Sequence, residues 1–402
     1  MRVLIADKLA PLVAGRLQDL GCEVHSEPGL DPSALTARLR ALDPNVLVVR
    51  STKVSEADLA AAPALALVIR AGAGVNTIAL EAASARGIYV TNCPGKNACA
   101  VAELTIGHLV NLDRRIADNV AAAREGRWDK KAFSAARGLN GRVLAILGMG
   151  AIGREVASRA QALGMRVRAW SRSLDEATAR ALGVERCETP EAAAEGADAL
   201  SVHLALTPET RGRVGESIFM ALKPGAYFVN TARSEVVDHR ALARALDERG
   251  LRAGLDVFEA EPAEGTGALA DALAAHPSVY GTHHIGASTQ EATDAVGEEV
   301  VRIVDAYARG ALIPNCVNLA DRTEATHVLV VRHADRVGVL AGVLAILREA
   351  GMNVQEMQNI LFSGGDAAIA RIGVIGEPSP EALALIQRAA HVFDASVGPK
   401  GA

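Results

Sequence analysis

The chain has 402 residues, of which half are hydrophobic, and its formal net charge is −5, a composition typical of a globular protein with two or three domains. No apolar segment could span a bilayer, and the first residues lack the pattern of a signal peptide, so we expect a cytoplasmic protein without membrane contact. Basic residues are dispersed and aromatic residues make up only 3% of the chain, which disfavours nucleic acid as a partner and favours small anionic metabolites.

Short apolar strands alternate with alanine-rich amphipathic segments from the first residue to about residue 285. Strands that are apolar throughout are buried on both faces, which is typical of parallel sheets covered by helices. The sequence therefore predicts an α/β fold with doubly wound, Rossmann-like parallel sheets, whose strands include residues 46–49, 65–69, 143–147, 167–170 and 226–229.

Two long helical segments indicate how this region divides. Residues 97–112 are predicted to cross from a first α/β unit into a second, and residues 291–308 are predicted to return to the first. The expected domains are a discontinuous substrate-binding lobe, 1–96 with 285–316, and a dinucleotide-binding Rossmann lobe, 97–284. Ligands of such folds bind at the carboxyl ends of the strands, so we expect the site in the cleft between the lobes.

A glycine-rich turn follows the apolar strand at 143–147. It reads Gly148-x-Gly150-x-x-Gly153 and leads directly into a helical pattern. Gly148 permits a tight turn, Gly150 lets a pyrophosphate approach the backbone, and Gly153 lets helix and strand pack closely. With Ala151 and Ile152, these residues predict a dinucleotide site at the amino terminus of a helix, where free N–H groups favour anions.

Three polar side chains lie at or just after the ends of later strands, where such folds carry reactive groups: Arg233, Glu261 and His284. The planar fork of an arginine can hold a substrate carboxylate through two parallel hydrogen bonds. An imidazole titrates near neutrality, so it can take up a hydroxyl proton and return it. A glutamate bonded to the other ring nitrogen would orient the ring and stabilise its charged form. The three together predict hydride transfer beside a nicotinamide.

Residues 326–398 follow a different pattern from the rest of the chain. They read as strand, helix, two strands about a hairpin, helix and strand. This βαββαβ order predicts a small ferredoxin-like α+β domain. The five cysteines of the chain are scattered and lack CxxC spacing, so neither a disulfide framework nor a metal site is predicted.

The ordered motifs resemble those of the D-isomer-specific 2-hydroxy acid dehydrogenase family, and the likeness covers nearly the whole chain. It rests on the glycine turn and on residues 203–212, 230–238, 254–262 and 284–291. The resemblance implies that Arg233 binds the substrate carboxylate, that His284 is the acid/base and that Glu261 is its partner. It also implies cofactor contacts, with Asp256 facing the nicotinamide carboxamide and others made by Thr207, Thr231 and Ala232.

Within that family, the first lobe resembles members that oxidise D-3-phosphoglycerate to 3-phosphohydroxypyruvate, the first step of the phosphorylated serine pathway. Arg50 and Lys130 match the family's phosphate-binding positions, although each could instead be an ordinary surface charge. Cations suit a doubly charged phosphoryl group. The remaining substrate contacts implied by the resemblance are Arg70, Gly72 and Gly74. Family members are dimers or larger, so Lys130 could come from a partner subunit of a homo-oligomer, a dimer or a tetramer.

The choice between NAD and NADP stays open at this point. An NAD-selective site offers a carboxylate after the second strand of the nucleotide lobe, but this chain has Ser171 and Arg172 there. These two residues could bind a 2′-phosphate, which favours NADP. Family members that act on phosphoglycerate generally use NAD, and Asp175 is close enough in sequence to return to the site.

The C-terminal domain resembles an ACT domain, an amino-acid-sensing unit. The resemblance implies L-serine as effector, with His333, Asp335 and Asn353 at the binding positions. Asp335 departs from the family pattern, in which asparagine is usual. An ACT domain can instead serve only to pair subunits.

Two alternative functions are compatible with the sequence. One is an NADPH-dependent glyoxylate or hydroxypyruvate reductase, which the residues after the second strand favour. The other is an NAD-sensing, corepressor-like binding protein that retains the cofactor cleft. The two phosphate-site cations and the C-terminal domain favour the dehydrogenase.

Overall fold

A computed structural model describes residues 1–262 and 266–401, which form two compact units, Met1–Asn318 and Leu319–Ala402. The first unit contains two parallel sheets covered by helices, and the second contains one antiparallel sheet. The predicted α/β class with Rossmann-like parallel sheets is therefore confirmed. Among the residues that the model describes, no helix is both long enough and apolar enough to cross a membrane.

The first sheet is built from short strands that alternate with helices. In chain order these elements are β1 (Arg2–Ile5), α1 (Leu12–Asp19), β2 (Glu23–Ser26), α2 (Leu35–Leu42), β3 (Val46–Val49), α3 (Glu56–Ala61), β4 (Leu67–Arg70), α4 (Leu80–Ala85) and β5 (Tyr89–Asn92). The strands are parallel in the order β2-β1-β3-β4-β5. All four residues of β3 are buried, because helices cover both faces of the sheet.

The chain then enters the second sheet through a long helix. The elements are α5 (Ala98–Arg114), α6 (Ile116–Arg124), α7 (Lys130–Phe133), β6 (Val143–Leu147), α8 (Ala151–Ala162), β7 (Arg166–Trp170), α9 (Glu176–Ala181), β8 (Glu185–Arg186), α10 (Pro190–Ala194), β9 (Ala199–Val202), α11 (Glu216–Ala221), β10 (Tyr227–Asn230), α12 (His239–Arg249), β11 (Arg252–Leu255) and β12 (Val279–Gly281). These strands are also parallel, in the order β12-β11-β10-β9-β6-β7-β8.

Strand β6 lies where the connections of the second sheet change direction. It pairs with β7 on one side and with β9 on the other, and all five of its residues are buried. A crevice opens beyond the carboxyl end of a strand at such a switch point. The glycine turn starts at that end, because Gly148 follows Leu147 directly.

A second long helix, α13 (Gln290–Ala308), brings the chain back to the first sheet. Its Val300 and Val304 are fully buried in one core with Val3 of β1 and Val13 of α1. Beyond it, the Val317 amide donates to the Val90 carbonyl at 2.9 Å, and Thr91 forms a bridge with Cys316. The segment after α13 therefore extends the outer edge of β5.

The second unit has the predicted βαββαβ order. It consists of β13 (His327–Ala334), α14 (Val339–Glu349), β14 (Val354–Leu361), β15 (Ala367–Val374), α15 (Pro380–Gln387) and β16 (Val392–Pro399). The antiparallel sheet has the order β14-β15-β13-β16. Leu329, Val331 and Ile372 form its core with Val343 of α14 and Ile386 of α15.

Candidate active site

The glycine turn has the geometry that its sequence predicts. Gly148 has a left-handed φ of 101°, and a Cβ there would lie 2.6 Å from the His203 carbonyl oxygen. A Cβ on Gly153 would collide with the Gly148 carbonyl. Gly150 has open space where its Cβ would be, and α8 begins next to it without a side-chain cap. Free first-turn N–H groups behind an uncrowded backbone fit a dinucleotide pyrophosphate.

The other predicted cofactor positions lie on loops that follow strands of the second sheet or at the start of α8. Ala151 and Ile152 open α8, and Thr207 lies in the loop after β9, where its amide donates to Thr210 Oγ1 at 2.8 Å. Thr231 is buried, with Oγ1 3.0 Å from Thr105 Oγ1, and the Ala232 amide donates to Asn230 Oδ1. Both loops leave the carboxyl ends of their strands.

Arg233 is presented by the turn after β10. Asn230 shapes this turn, because its side chain accepts from the Ala232 amide at 3.0 Å and donates to the Arg233 carbonyl at 2.9 Å. The guanidinium reaches the loop after β4 of the first sheet, where Arg233 Nη2 lies 3.1 Å from the position of a Cβ on Gly74. The structure therefore brings Arg233 to the predicted substrate segment.

His284 and Glu261 form a hydrogen-bonded pair. The distance from His284 Nδ1 to Glu261 Oε2 is 2.8 Å, and the His284 side chain is 48% exposed. Glu261 Oε1 accepts from the Phe258 amide at 2.8 Å, which fixes the carboxylate. Burial acts to raise the pKa of Glu261, but the bonds from His284 and the Phe258 amide, with the charge of Arg233, lower it overall.

The backbone of His284 is unusual, because its φ of 53° lies in the left-handed region. This region is uncommon for residues other than glycine and costs energy that the surroundings must offset. Asp256, which is 1% exposed, accepts from the two amides that follow, those of Ile285 at 2.9 Å and Gly286 at 2.8 Å. Its carboxylate also accepts from Thr282 Oγ1 at 2.6 Å, so Asp256 holds the His284 loop.

Three arginines converge at the carboxyl end of the first sheet. Burial, together with the positive charges of Arg233 and Arg50, lowers the pKa of Arg70. The Arg70 side chain lies over Gly72, where a Cβ would collide with its Nη1, and its buried Nε has no hydrogen-bond partner among the described residues. Such a concentration of positive charge predicts an anionic ligand.

Sequence reasoning missed Asp7, which organises the loop of Arg50. The Asp7 carboxylate accepts from the amides of Arg50, Ser51 and Thr52 at 2.6, 3.1 and 3.0 Å, and from Thr52 Oγ1 at 2.9 Å. Burial acts to raise the pKa of Asp7, but these bonds lower it overall. The residue lies two positions after the end of β1, so the rule that located the other strand-end side chains could have found it.

Lys130 lies apart from the arginines. It begins the short helix α7, and its side chain is exposed and makes no hydrogen bond or ion pair with any residue in the described ranges. Helix α7 packs near the carboxyl end of α5, where Phe133 lies under the Arg115 guanidinium at 4.9 Å. The single chain thus does not bring Lys130 to Arg50.

The residues that directly follow β7 are Ser171 and Arg172, and neither is a carboxylate. Ser171 is half-buried and Arg172 is exposed. Asp175 caps α9, because its Oδ1 accepts from the Thr178 amide at 2.7 Å, and this bond is the main cause of its lowered pKa. The Asp175 carboxylate is therefore engaged away from the β7 end. The charge of Arg172 contributes to the lowered pKa of Glu209, after a hydrogen bond with Thr207, so Arg172 lies close to the loop after β9.

The three predicted effector residues differ in exposure. His333 is 1% exposed, with Nδ1 2.8 Å from the Ala334 carbonyl oxygen and Nε2 3.2 Å from Asn359 Oδ1. Asp335 and Asn353 are exposed. No hydrogen bond joins these three residues in the part of the second unit that the structure describes.

The structure has two parallel-sheet lobes, with a glycine turn, an arginine and an imidazole–carboxylate pair at the strand ends. These features define the class of the protein as a dinucleotide-dependent oxidoreductase. Residues 106–286 match the model of the D-isomer specific 2-hydroxyacid dehydrogenase, NAD binding domain. The chain is similar to the D-3-phosphoglycerate dehydrogenase of Methanocaldococcus jannaschii, with 34% identity over 97% of this chain and 70% of that protein. The chain belongs to the D-isomer-specific 2-hydroxyacid dehydrogenase family.

Other relatives agree with this membership. The D-3-phosphoglycerate dehydrogenase of Rattus norvegicus is 40% identical over 81% of this chain, and the match spans 60% of the length of the rat protein. Among solved structures, a protein of Thermus thermophilus is 33% identical with a TM-score of 0.70, covering 79% of this chain and all of that chain. The NAD⁺-bound 3-phosphoglycerate dehydrogenase of Entamoeba histolytica is 25% identical with a TM-score of 0.66, covering 79% and 99%.

Proposed function

We propose that this protein oxidises D-3-phosphoglycerate to 3-phosphohydroxypyruvate by hydride transfer to a nicotinamide cofactor, the first step of the phosphorylated serine pathway. The observation that carries the proposal is the position of Arg233. Its guanidinium reaches the Gly74 loop, and its positive charge, with that of Arg50, helps to lower the pKa of Arg70. Three neighbouring cations suit a substrate with both a carboxylate and a phosphate. The relatives from rat and M. jannaschii carry the name of this activity.

Cofactor binding and substrate binding are proposed for different residues of the chain. The N–H groups at the start of α8, next to Gly150, hold the cofactor pyrophosphate, and Thr207, Thr231 and Ala232 line the loops beside it. When bound, the nicotinamide supplies the hydride acceptor. Arg233 holds the substrate carboxylate in a bidentate pair.

His284 accepts the hydroxyl proton at Nε2, because Nδ1 is bound to Glu261. Glu261 keeps the ring in this orientation and stabilises its charged form. Asp256 is proposed to face the nicotinamide carboxamide, and its three hydrogen bonds to the His284 loop support this role. Arg50, Arg70 and the backbone at Gly72 and Gly74 contact the rest of the substrate.

A spectrophotometric assay tests the activity. We expect reduced cofactor to appear with 3-phosphoglycerate, and Arg233→Ala or His284→Gln to abolish turnover with little effect on cofactor binding. Arg50→Ala should mainly raise KM for the phosphorylated acid. If the wild-type protein neither forms nor consumes reduced cofactor with any 2-hydroxy or 2-oxo acid, the proposal is contradicted and a corepressor-like binding protein is favoured.

We further propose that the cofactor is NADP. The end of β7 offers Ser171 and Arg172, whose hydroxyl and guanidinium suit a 2′-phosphate, and the nearby Asp175 accepts from the Thr178 amide as a helix cap. Titrations should give tighter binding of NADPH than of NADH. Arg172→Ala should weaken NADPH binding roughly tenfold or more and leave NADH unchanged. The matched control is Arg180→Ala, an exposed arginine on α9.

The same residues favour one second candidate, an NADPH-dependent reductase of glyoxylate or hydroxypyruvate. The assay separates the two, because this candidate predicts rapid consumption of NADPH with glyoxylate and no preference for a phosphorylated acid. The arginine cluster favours the phosphorylated substrate.

We propose a division of the chain into a substrate lobe, 1–96 with 285–316, a cofactor lobe, 97–284, and an ACT domain of ferredoxin-like fold, 326–398. The packing of α13 on the first sheet and the strand order of the second unit support this division. The protein is proposed to be a cytoplasmic homo-oligomer, and in it Lys130 would reach the site of a neighbouring subunit.

L-Serine is the proposed effector, contacting Asp335 and Asn353 near His333. Calorimetric titration with L-serine tests this last point.

A further inference from the structure

A buried histidine on α5 lies behind the candidate active site. His108 is 4% exposed, and its Nε2 lies 3.2 Å from Thr282 Oγ1. The Thr282 hydroxyl is itself 2.6 Å from Asp256 Oδ1. Because the carboxylate can only accept, Thr282 donates its proton to Asp256, and His108 must then donate its Nε2 proton to Thr282.

The other end of this chain of hydrogen bonds is the catalytic loop. Asp256 accepts from the amides of Ile285 and Gly286, the two residues that follow His284. His284 itself has a left-handed backbone, which requires support from its surroundings. This series of hydrogen bonds therefore connects helix α5 to the loop of His284, whose left-handed backbone needs support.

The site is built for a histidine at this position. A Cβ on Gly254 of β11 would lie 2.8 Å from Cβ, Cγ and Nδ1 of His108, so the absence of a side chain at residue 254 makes room for the imidazole. Burial lowers the pKa of His108, and the charge of Asp256 opposes this only in part. The ring is thus neutral and has one N–H to donate.

We propose that His108 is a positioning residue, which holds the His284 loop in its reactive conformation by donating a hydrogen bond through Thr282 to Asp256. This inference deepens the proposed function and rests on it for the role of His284. Its geometric part concerns only the order of residues 282–286, so it can be tested without turnover.

The first test is hydrogen exchange of the Ile285 and Gly286 amides in the whole protein. We expect His108→Leu, which fills the site but donates nothing, to accelerate exchange in a peptide covering residues 282–288. His108→Gln, whose side-chain amide can donate near the position of Nε2, should keep the wild-type rate. His25→Leu, in β2 of the first sheet, is the matched control and should also exchange as the wild type does. Unchanged exchange in His108→Leu would overturn the proposal.

The second test is kinetic. His108→Leu should lower kcat roughly tenfold, which corresponds to about 1.4 kcal/mol of lost positioning. KM and the dissociation constant of the cofactor should change little, and His108→Gln should restore kcat. The melting temperature of His108→Leu should not fall, because leucine replaces a buried polar ring.

Thr282→Val provides a double-mutant cycle. If the two residues act in one chain, His108→Leu adds no further loss of kcat in the Thr282→Val background. Additive losses, or equal kcat in the Leu and Gln variants, would show that His108 is only a packing residue. A wild-type protein without turnover would contradict the proposed function, and the exchange test would still decide the role of His108.

Discussion

The carboxylate of Glu261 determines how the imidazole of His284 is presented. Its two oxygens are divided between the ring, at 2.8 Å, and the Phe258 amide, at 2.8 Å. Because the Phe258 amide holds Glu261 Oε1, the imidazole can turn only if its hydrogen bond to Glu261 Oε2 breaks. The lowered pKa of Glu261 keeps the carboxylate charged at neutral pH, where it stabilises a protonated ring.

Glu261→Gln should therefore lower kcat while leaving the KM of the hydroxy acid nearly unchanged. An amide keeps the shape of the side chain but loses the charge that stabilises the imidazolium, and we expect a loss of roughly a hundredfold. Steady-state kinetics at neutral pH measure it. Glu259→Gln is the control, because Glu259 is two residues away and its exposed carboxylate lies 3.4 Å from His239. Equal kcat in the two variants would contradict the role given to Glu261.

Periodicity and strand-end rules predicted the elements well and their side-chain contacts less well. The helix predicted at 97–112 is Ala98–Arg114, and the strand predicted at 226–229 is Tyr227–Asn230. These predictions succeed because the local spacing of apolar residues indicates which positions of a helix or strand are buried. The contact between His108 and Thr282 joins residues 174 positions apart, and no local pattern records it.

The polar network of the site was predictable only in part for the same reason. Arg233, Glu261 and His284 could be found because each lies at or just after a strand end in a specific motif. The role of Asp7 depends on the pairing of β1 with β3, which brings its carboxylate to amides 43 to 45 positions away. The left-handed backbone of His284 likewise depends on tertiary support, since this conformation is uncommon for any residue other than glycine.

The return of the chain to the first sheet depends on close packing between α13 and α1. Gly297 makes this contact possible, because a Cβ there would lie 2.9 Å from Val13 Cγ2 and 3.1 Å from the Ala10 Cβ. Gly297→Val should destabilise the first unit by about 1–3 kcal/mol through overpacking. Gly107→Val on α5, where a Cβ meets nothing within 4 Å, is the matched control and should be nearly neutral.

Urea denaturation followed by tryptophan fluorescence measures both variants. Trp128 and Trp170 are the two tryptophans of the chain and both belong to the first unit, so the signal reports that unit alone. Equal midpoints for the two variants would mean that α13 can shift away from α1 without cost. The division of the chain into a discontinuous lobe would then have weaker support.

Ionisable groups with lowered pKa values affect the stability of the protein in two ranges of pH. Bonds to the carboxylates of Asp7, Asp198 and Glu261 outweigh burial and lower their pKa values, so their stabilisation is lost below about pH 4, near the unfolded values. Burial lowers the pKa of His203 to about 3. Its Nε2 lies 2.8 Å from Ser201 Oγ, and its buried Nδ1 has no partner among the described residues.

His203 should therefore weaken the first unit well above the range of the carboxylates. The unfolded chain binds a proton on this imidazole below about pH 6.5, whereas the folded chain does not until about pH 3, so the unfolded state holds more protons between these values. The free energy of unfolding must then fall as the pH falls, by at most about 1.4 kcal/mol per pH unit.

His203→Gln, which cannot titrate, should make this slope shallower between pH 6.5 and 4.5. The part of the slope that remains comes from His108, whose pKa is also lowered by burial. Urea denaturation at several pH values measures the slope. A variant slope equal to that of the wild-type protein would contradict the lowered pKa of His203.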